Sequence, residues 1–429
     1  MTPRRALLAG ALATPFLGRS GRALSTARVV LVGGGYGGAT CARALRQAGL
    51  DVTLVEAEAA YLSCPFSNPV VAGLRDMAQQ QFGYDHVAAT GVRLVHARAL
   101  GVDAAARTVQ VEGAALPYDR LVLSPGVEMR LDPQPGALPG YGADMAERFL
   151  HAWKAGPQTM LLRRQLEAMP DGGTVAMSVP ANPYRCPPGP YERASLIAHY
   201  LKTHKPRSKL VVLDAKDAFS KQKLFQAAWK ALYPDTLEWV GLSNGGRVTG
   251  IDPDGTLQTE FGAHQADVVN PIPPQRAGAI AQAAGVADRT GWCPVDPVTF
   301  ESRLVPGIHV IGDAAVMGAM PKSAFAAGAQ AKVCADAIVA LLAGQAPEEP
   351  RLINTCYSLV APGYGISVAG VYRPVNGQLT DIEGAGGTSP LDAPQGVRAQ
   401  EAAYAEDWYR IATAEAFGEP GAAGADGRR

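Results

Sequence analysis

The sequence predicts an α/β chain of two Rossmann-like, parallel-sheet units followed by a C-terminal α+β domain. Three stretches carry that expectation. "ARVVLVGGGYGGATCARALRQAG" begins as a buried apolar strand at residues 29–32 and runs through glycines into a helix. A second strand–helix–strand unit is spelled by "GGTVAMSVP" (172–180), "GPYERASLIAHYLKTH" (189–204) and "KLVVLDA" (209–215). A late apolar strand, "GIHVIGDAA" (307–315), returns to the first unit. The expected layout is a first unit from 28–145 and 290–350, interrupted by the second at 146–289, then a C-terminal domain at 351–418. The 429 residues leave room for each part to have its own core.

Composition narrows the function classes. Lys plus Arg and Asp plus Glu number 39 each, so no net field draws the chain to nucleic acid or to an anionic membrane. The opening "TPRRALLAGALATPFLG" sets Arg4 and Arg5 before a 13-residue apolar run at 6–18. That run is short for a membrane crossing and fits the core of an export signal over 1–27, of the twin-arginine type. A periplasmic location follows as an expectation. No later segment has 18 uninterrupted apolar residues, so no membrane span is expected. The end, "GEPGAAGADGRR", is too polar and glycine-rich to pack, and 419–429 is expected to be disordered. Six cysteines are too few to scaffold a chain of this length, so any bridge is a local device.

The first glycine cluster places Gly33, Gly35 and Gly38 in the dinucleotide fingerprint. Gly33 serves the tight turn, Gly35 the approach of a pyrophosphate, and Gly38 the close packing of helix on strand. The strand "DVTLVEA" ends in Glu56, 18 positions after Gly38, where a carboxylate meets a ribose hydroxyl. Two later segments favour FAD over NAD. "YDRLVLSPGVE" (118–128) closes on a tight turn at Gly126, and the late strand ends in Gly312-Asp313. Both resemble further signatures of the flavoproteins with two dinucleotide domains, the disulfide-reductase-like family. That resemblance assigns Asp313 to the flavin ribityl chain, although Ser124-Pro125-Gly126 stands where the family usually has Ala-Thr-Gly. The helix starting near Pro321 would aim its positive end at the flavin, with Lys322 either assisting or simply solvated.

The middle unit lacks a glycine loop. Its connection is "ANPYRCPPGP", whose prolines offer no N–H groups to a pyrophosphate. The nicotinamide site is therefore expected to be lost while its scaffold remains. The loop holds Cys186 just ahead of a helix N-terminus, a position that favours thiolate. Far downstream lies Cys356, in "RLINTCYSLVAPGYGISVAGVYRP". A disulfide between them against the flavin is one expectation, and spacing alone leaves two roles open for it: a redox bond, or a staple worth about 5 kcal/mol by loop closure.

At this point a resemblance covers nearly the whole chain from residue 28 to 418. "HAWKAGPQT", "RCPPGPYERAS", "NPIPPQRAGAIAQ", "GWCPVD", "NTCYS" and "GISVAGVYRP" resemble the flavoprotein subunit of flavocytochrome c sulfide dehydrogenase, a family related to the sulfide:quinone oxidoreductases. The resemblance implies a redox disulfide of Cys186 and Cys356 beside the isoalloxazine. It also implies a flavin tied covalently to Cys64 of "YLSCPFSN", hydrosulfide as substrate, and electrons passed to a separate c-type cytochrome subunit. Hydrosulfide would open the disulfide to a persulfide and a thiolate, the sulfur leaving as elemental sulfur or polysulfide. Which cysteine takes which part is open. Glu192, in the first turn after Cys186, is either the acid/base or a complement to the helix dipole. No C-x-x-C-H occurs, so no haem is expected on this chain, and no histidine falls in a metal-ligand spacing with cysteine. The rival readings are a sulfide:quinone oxidoreductase, a non-catalytic flavoprotein partner in a sulfur-oxidising complex, and an NADH-driven reductase. The helix expected at 400–418 carries Tyr404, Trp408 and Ile411 on one face, assigned to the core.

Overall fold

The computed structural model describes residues 26–418. Most of the segment expected to be an export signal, up to residue 25, and the tail from 419 lie outside the described residues. β1 (Arg28–Val32) is a fully apolar strand after its first residue, and α1 (Tyr36–Gln47) follows directly on the glycine turn. With β2 (Asp51–Glu56), β3 (Arg93–His96) and β4 (Arg120–Leu123) it begins the first sheet. The second unit contributes β5 (Thr174–Val179), α2 (Gly189–His204), β6 (Lys209–Asp214), α3 (Gln222–Leu232), β7 (Leu237–Val240) and β8 (Val268–Pro271). The chain then supplies β9 (Ile308–Val310) and α4 (Ala324–Leu342) to the first unit. It ends in β10 (Leu352–Ala361), β11 (Tyr364–Val375), β12 (Gln378–Asp381) and α5 (Gln395–Phe417).

The first sheet has the order β9-β4-β1-β2-β3, all parallel, and the second the order β7-β6-β5-β8, also parallel. The inner strands β1, β4, β5 and β6 are nearly continuous apolar runs because both faces are covered, whereas the edge strands β3 and β7 are partly open. The third sheet, β10-β11-β12, is antiparallel and alternates buried and open residues along β10, as a one-sided sheet should.

The crossings between units fall elsewhere than at 145/146 and 289/290. Residues Val127–Met129 pair antiparallel with Gln275–Ala277, so the return to the first unit starts at that ribbon. Leu138 and Tyr141 already pack with Ala176, Leu213 and Val269 of the second unit.

The helices carry their own start signals. α2 has proline in its first turn, Glu192 at its positive end, and Lys202 and His204 at its negative end. α4 is capped by Ser323, whose Oγ accepts the Ala326 N–H at 3.0 Å. With a mean hydropathy of 1.5 over 19 residues, α4 is long and apolar enough to cross a membrane. Here it packs along α1, with Ala331, Cys334 and Ile338 among its buried residues.

α5 corrects one expectation. Tyr404 and Ile411 are 47% and 57% exposed, while Trp408 of the same expected face is partly buried and stacks on Phe325, and the buried stripe is Ala402, Ala405, Tyr409, Thr413 and Ala416. The first unit's aromatics choose that face. Tyr409 meets Phe66 at a centroid distance of 4.8 Å, and Phe417 stacks on Tyr61 at 5.0 Å and on Phe82 at 5.3 Å.

Candidate functional site

A cavity of about 680 Å³ opens where the carboxyl ends of β1 and β4, the loop before α2, the start of α4 and strand β10 converge. This is the crevice at which an open α/β sheet binds its ligand. Gly33, Gly35, Glu56, Cys64 and Gly126 line one part of it. Cys186, Glu192, Gly312, Asp313 and Cys356 line the rest.

Gly33 has φ +97°, and a Cβ there would lie 2.3 Å from the Ser124 carbonyl oxygen. Gly38 stands behind the cavity. A Cβ on it would come within 1.8 Å of the Gly33 carbonyl oxygen, so its part is the close seating of α1 on β1. Glu56 ends β2 as expected, its carboxylate accepting the Gly34 N–H at 2.6 Å and the Glu58 N–H at 3.0 Å.

Asp313 provides the test of fit for a flavin. Its Oδ1 is buried without a hydrogen-bond partner. Burial raises its pKa, while Arg185 and Lys322 oppose the shift. An unpaired acceptor at a cavity wall suits a ligand that brings hydroxyl donors, as a ribityl chain does. The residues present fit a flavin dinucleotide.

Lys322 departs from both expectations, being neither solvated nor on the cavity wall. Its Nζ donates to the carbonyls of Asp313 and Ala315, each at 2.8 Å, and lies 4.0 Å from the centre of the Trp292 ring. Burial lowers it to about 8. It braces the Gly312-Asp313 turn from behind.

All six cysteines are thiols here, so the expected Cys186–Cys356 bond is not formed, although both residues face the one cavity. Cys186 has φ +59°, a left-handed conformation that costs a non-glycine residue about 1 kcal/mol or more. Two hydrogen bonds hold it there: its N–H to the Lys322 carbonyl and its own carbonyl to the Gly189 N–H, both at 2.8 Å. The expected lowering of its pKa at the helix end is not met. Burial pushes the thiol up, Cys356 and Glu192 add to the rise, and Arg185 and Lys221 only partly offset it. Desolvation outweighs half a unit charge at a helix terminus.

Glu192 points into the cavity between α2 and β10. Its two oxygens accept the Leu359 N–H and the Asn68 amide, each at 2.8 Å. Burial raises its pKa against those two hydrogen bonds and the cations Lys221 and Arg193. Cys64 lies in the wall with its Sγ accepting the Ala155 N–H at 3.4 Å.

Several residues of the site were not anticipated. Arg193 is 2% exposed, and no carboxylate of the described residues forms an ion pair with it. It donates to the carbonyls of His151 and Ala152 at 2.7 and 2.6 Å and to Asn68 and Asn270 at 3.0 and 3.2 Å, with Trp153 against its plane. Lys221 is also buried, at 7% exposed, and donates to the Cys356 carbonyl and Ser358 Oγ, each at 2.8 Å. Arg185 donates to the Trp153 carbonyl. Asn354 donates to Cys356 Sγ at 3.3 Å. Only Asn354 had a readable signal: it stands two residues before Cys356 on one strand, hence on the same face.

In the middle unit, the carboxylate that ends β6 is engaged by side chains of the same unit. Asp214 ends β6, where a ribose-binding carboxylate stands in such a unit. Here it accepts the Tyr191 hydroxyl at 2.6 Å, Lys216 Nζ at 2.6 Å and the Trp239 N–H at 3.1 Å. Tyr191 stacks on Phe219 at a centroid distance of 3.6 Å.

Comparison with known proteins agrees with this layout. Residues 27–161 match the pyridine nucleotide-disulphide oxidoreductase model. Residues 159–273 match the central domain of the sulfide dehydrogenase [flavocytochrome c] flavoprotein chain, and 348–417 the flavin-binding domain of flavocytochrome c sulphide dehydrogenase. The chain is 55% identical to the sulfide dehydrogenase [flavocytochrome c] flavoprotein chain of Chlorobaculum thiosulfatiphilum over 47 residues, 10% of this chain and 98% of that one. In fold it is similar to the sulfide:quinone oxidoreductase of Aquifex aeolicus, with TM-score 0.67 and 16% identity over 92% of this chain and 93% of that one. It is also similar to the NAD-dependent persulfide reductase from A. fulgidus, with TM-score 0.55 and 15% identity over 89% and 76% of the two chains. With its central and flavin-binding domains matched on a disulphide-oxidoreductase fold, the chain belongs to the family of flavocytochrome c sulfide dehydrogenase flavoprotein chains.

Proposed function

We propose that this flavoprotein oxidises hydrosulfide to elemental sulfur or polysulfide through a Cys186–Cys356 disulfide, and passes the electrons to a c-type cytochrome subunit in the periplasm. The observation that carries the reading is the convergence of Cys186, Cys356, Glu192 and the glycines Gly33 and Gly35 on one cavity, while Asp214 of the middle unit is engaged by Tyr191. The bound flavin supplies a two-electron acceptor that also releases electrons singly.

The chain's own residues account for the rest. Hydrosulfide attacks one sulfur of the disulfide. A new S–S bond forms to that cysteine, and the pair of the broken bond leaves on the other sulfur as thiolate. A second hydrosulfide takes the outer sulfur away as the start of a polysulfide and leaves that cysteine as thiolate, and Glu192, with its raised pKa, takes the proton shed in the transfer. The two thiolates then re-form the disulfide, their electron pair having its acceptor in the bound flavin. Arg193 and Asn68 hold Glu192 and the start of α2 in place. Asp313, Glu56 and the glycine turn hold the flavin, and Cys64 ties it by a thioether. Acid denaturation tests that bond: yellow colour stays with the precipitate if it exists and leaves with the supernatant if it does not.

The acceptor is tested by following sulfide oxidation with cytochrome c against a soluble quinone. Faster turnover with cytochrome c supports the reading. Turnover with quinone alone makes the protein a sulfide:quinone oxidoreductase, and no sulfide-dependent flavin reduction with either makes it a non-catalytic partner.

A further inference from the structure

The two cysteines are not equivalent, and the difference bears on which one receives the substrate's sulfur. Cys356 is 8% exposed, and its Sγ accepts the Asn354 amide at 3.3 Å. That amide is fixed in orientation. Ser323 Oγ accepts the Ala326 N–H at the start of α4, so its own proton is free to go to Asn354 Oδ1, at 2.6 Å. With the oxygen engaged, the Asn354 nitrogen is turned to the sulfur. On the other side, Lys221 Nζ reaches the Cys356 carbonyl and Ser358 Oγ. No carboxylate of the described residues forms an ion pair with Lys221. The charged and titratable groups around it are Cys356 on β10, Glu192 on α2, Cys186 in the preceding loop and Glu401 on α5.

Cys186 has none of this. No donor of the described residues reaches its sulfur, which is wedged near Gly189 and Trp153: a Cβ on Gly189 would lie 2.9 Å from both. Cys186 is also the less buried of the pair, and thiol–disulfide exchange takes place at the sulfur that can be reached.

We propose that hydrosulfide attacks Cys186 and that Cys356 leaves as the thiolate, stabilised by Asn354 with Ser323 as its positioning residue. The inference rests on the disulfide reading above. The Cys186–Cys356 bond breaks, a bond forms between Cys186 Sγ and the hydrosulfide sulfur, and the electron pair of the broken bond stays on Cys356 Sγ. No other oxidant enters this step. A hydrogen bond to a charged group is worth more than one to a neutral group, so Asn354 contributes most when Cys356 carries the charge. Burial brings Lys221 to about 8, so at neutral pH it remains an ammonium able to compensate that charge.

Two measurements on the full-length holoprotein test the assignment. In the first, one equivalent of sulfide is added, thiols are trapped with an alkylating reagent, and peptides are weighed. The added mass of one sulfur atom is expected on the Cys186 peptide, with Cys356 alkylated directly. Added sulfur on the Cys356 peptide overturns the assignment alone. Added sulfur on neither, while sulfide still bleaches the flavin, overturns it together with the disulfide reading.

In the second, Cys186→Ser and Cys356→Ser are compared for the long-wavelength absorption that a thiolate gives against oxidised flavin. The band is expected in Cys186→Ser and absent in Cys356→Ser, and the reverse or its absence from both contradicts the proposal. Adding Asn354→Ala to Cys186→Ser should weaken the band about tenfold at neutral pH. Ser323→Ala, which keeps the amide and loosens its orientation, should weaken it less. If both leave the band per bound flavin unchanged, Asn354 is only structural and the proposal fails.

Discussion

The backbone N–H of Cys186 donates to the carbonyl of Lys322 at 2.8 Å. Lys322 in turn holds the carbonyl of Asp313 through its Nζ. One residue thus joins the loop before α2 to the Gly312-Asp313 turn. The middle unit brings a parallel sheet and a helix to the cavity, and the loop between them presents Cys186 there.

The seating of α1 on β1 predicts the effect of Gly38→Ala. A Cβ would collide with the Gly33 carbonyl 1.8 Å away, and that atom is backbone inside the flavin turn. The variant is expected to lose most of its flavin on purification, measured as the ratio of flavin to protein absorbance. Full flavin content would show that the turn can yield.

Glu192 predicts a pH dependence. Its pKa is raised above the ordinary 4.5, chiefly by burial, so the folded state binds a proton more tightly than the unfolded chain. By linkage its contribution to stability falls as pH rises from about 4.5 through its folded pKa. In Glu192→Gln that decline should disappear from urea midpoints measured across the range, while sulfide-driven flavin reduction drops roughly 10²-fold. An unchanged rate would leave Glu192 as a dipole complement only.

Arg193 predicts a stability loss. It satisfies two backbone carbonyls and two asparagines in the interior. Arg193→Ala strands those acceptors and should cost about 3 kcal/mol or more in denaturant unfolding. Arg193→Lys cannot reproduce the fork and should recover only part of it.

The engaged Asp214 and the proline loop before α2 predict silence toward NADH. The Lys216–Asp214 pair is buried at 2.6 Å, so Asp214→Asn should destabilise the protein by about 3 kcal/mol by leaving Lys216 unpaired. It should do so without producing NADH-driven flavin bleaching. Rapid bleaching of the unaltered protein by NADH would revive a reductase.

The fold was largely legible because its signals are local. Apolar runs, glycine turns and Pro190 at the start of α2 mark β1, β5, β6 and α2 within a residue or two. The site was legible where a residue sits inside a motif, as with Gly33, Asp313, Cys186 and Cys356. It was not legible where distant elements meet. Asn68 and Arg193 lie 125 positions apart and bond at 3.0 Å, which no spacing rule reveals. Cys186 was misjudged because helix position can be read from sequence and desolvation cannot. The α5 face was misjudged because it depends on which aromatics of the first unit await it, and two candidate stripes share one helix.

The most direct test of the central claim is rapid-mixing absorbance of the flavin with sulfide, comparing the unaltered protein with Cys356→Ser. Loss of the exchange partner should slow bleaching by about 10³-fold or more with flavin content unchanged. Bleaching at the original rate would contradict the account, because electrons would then reach the flavin without passing through the two sulfurs.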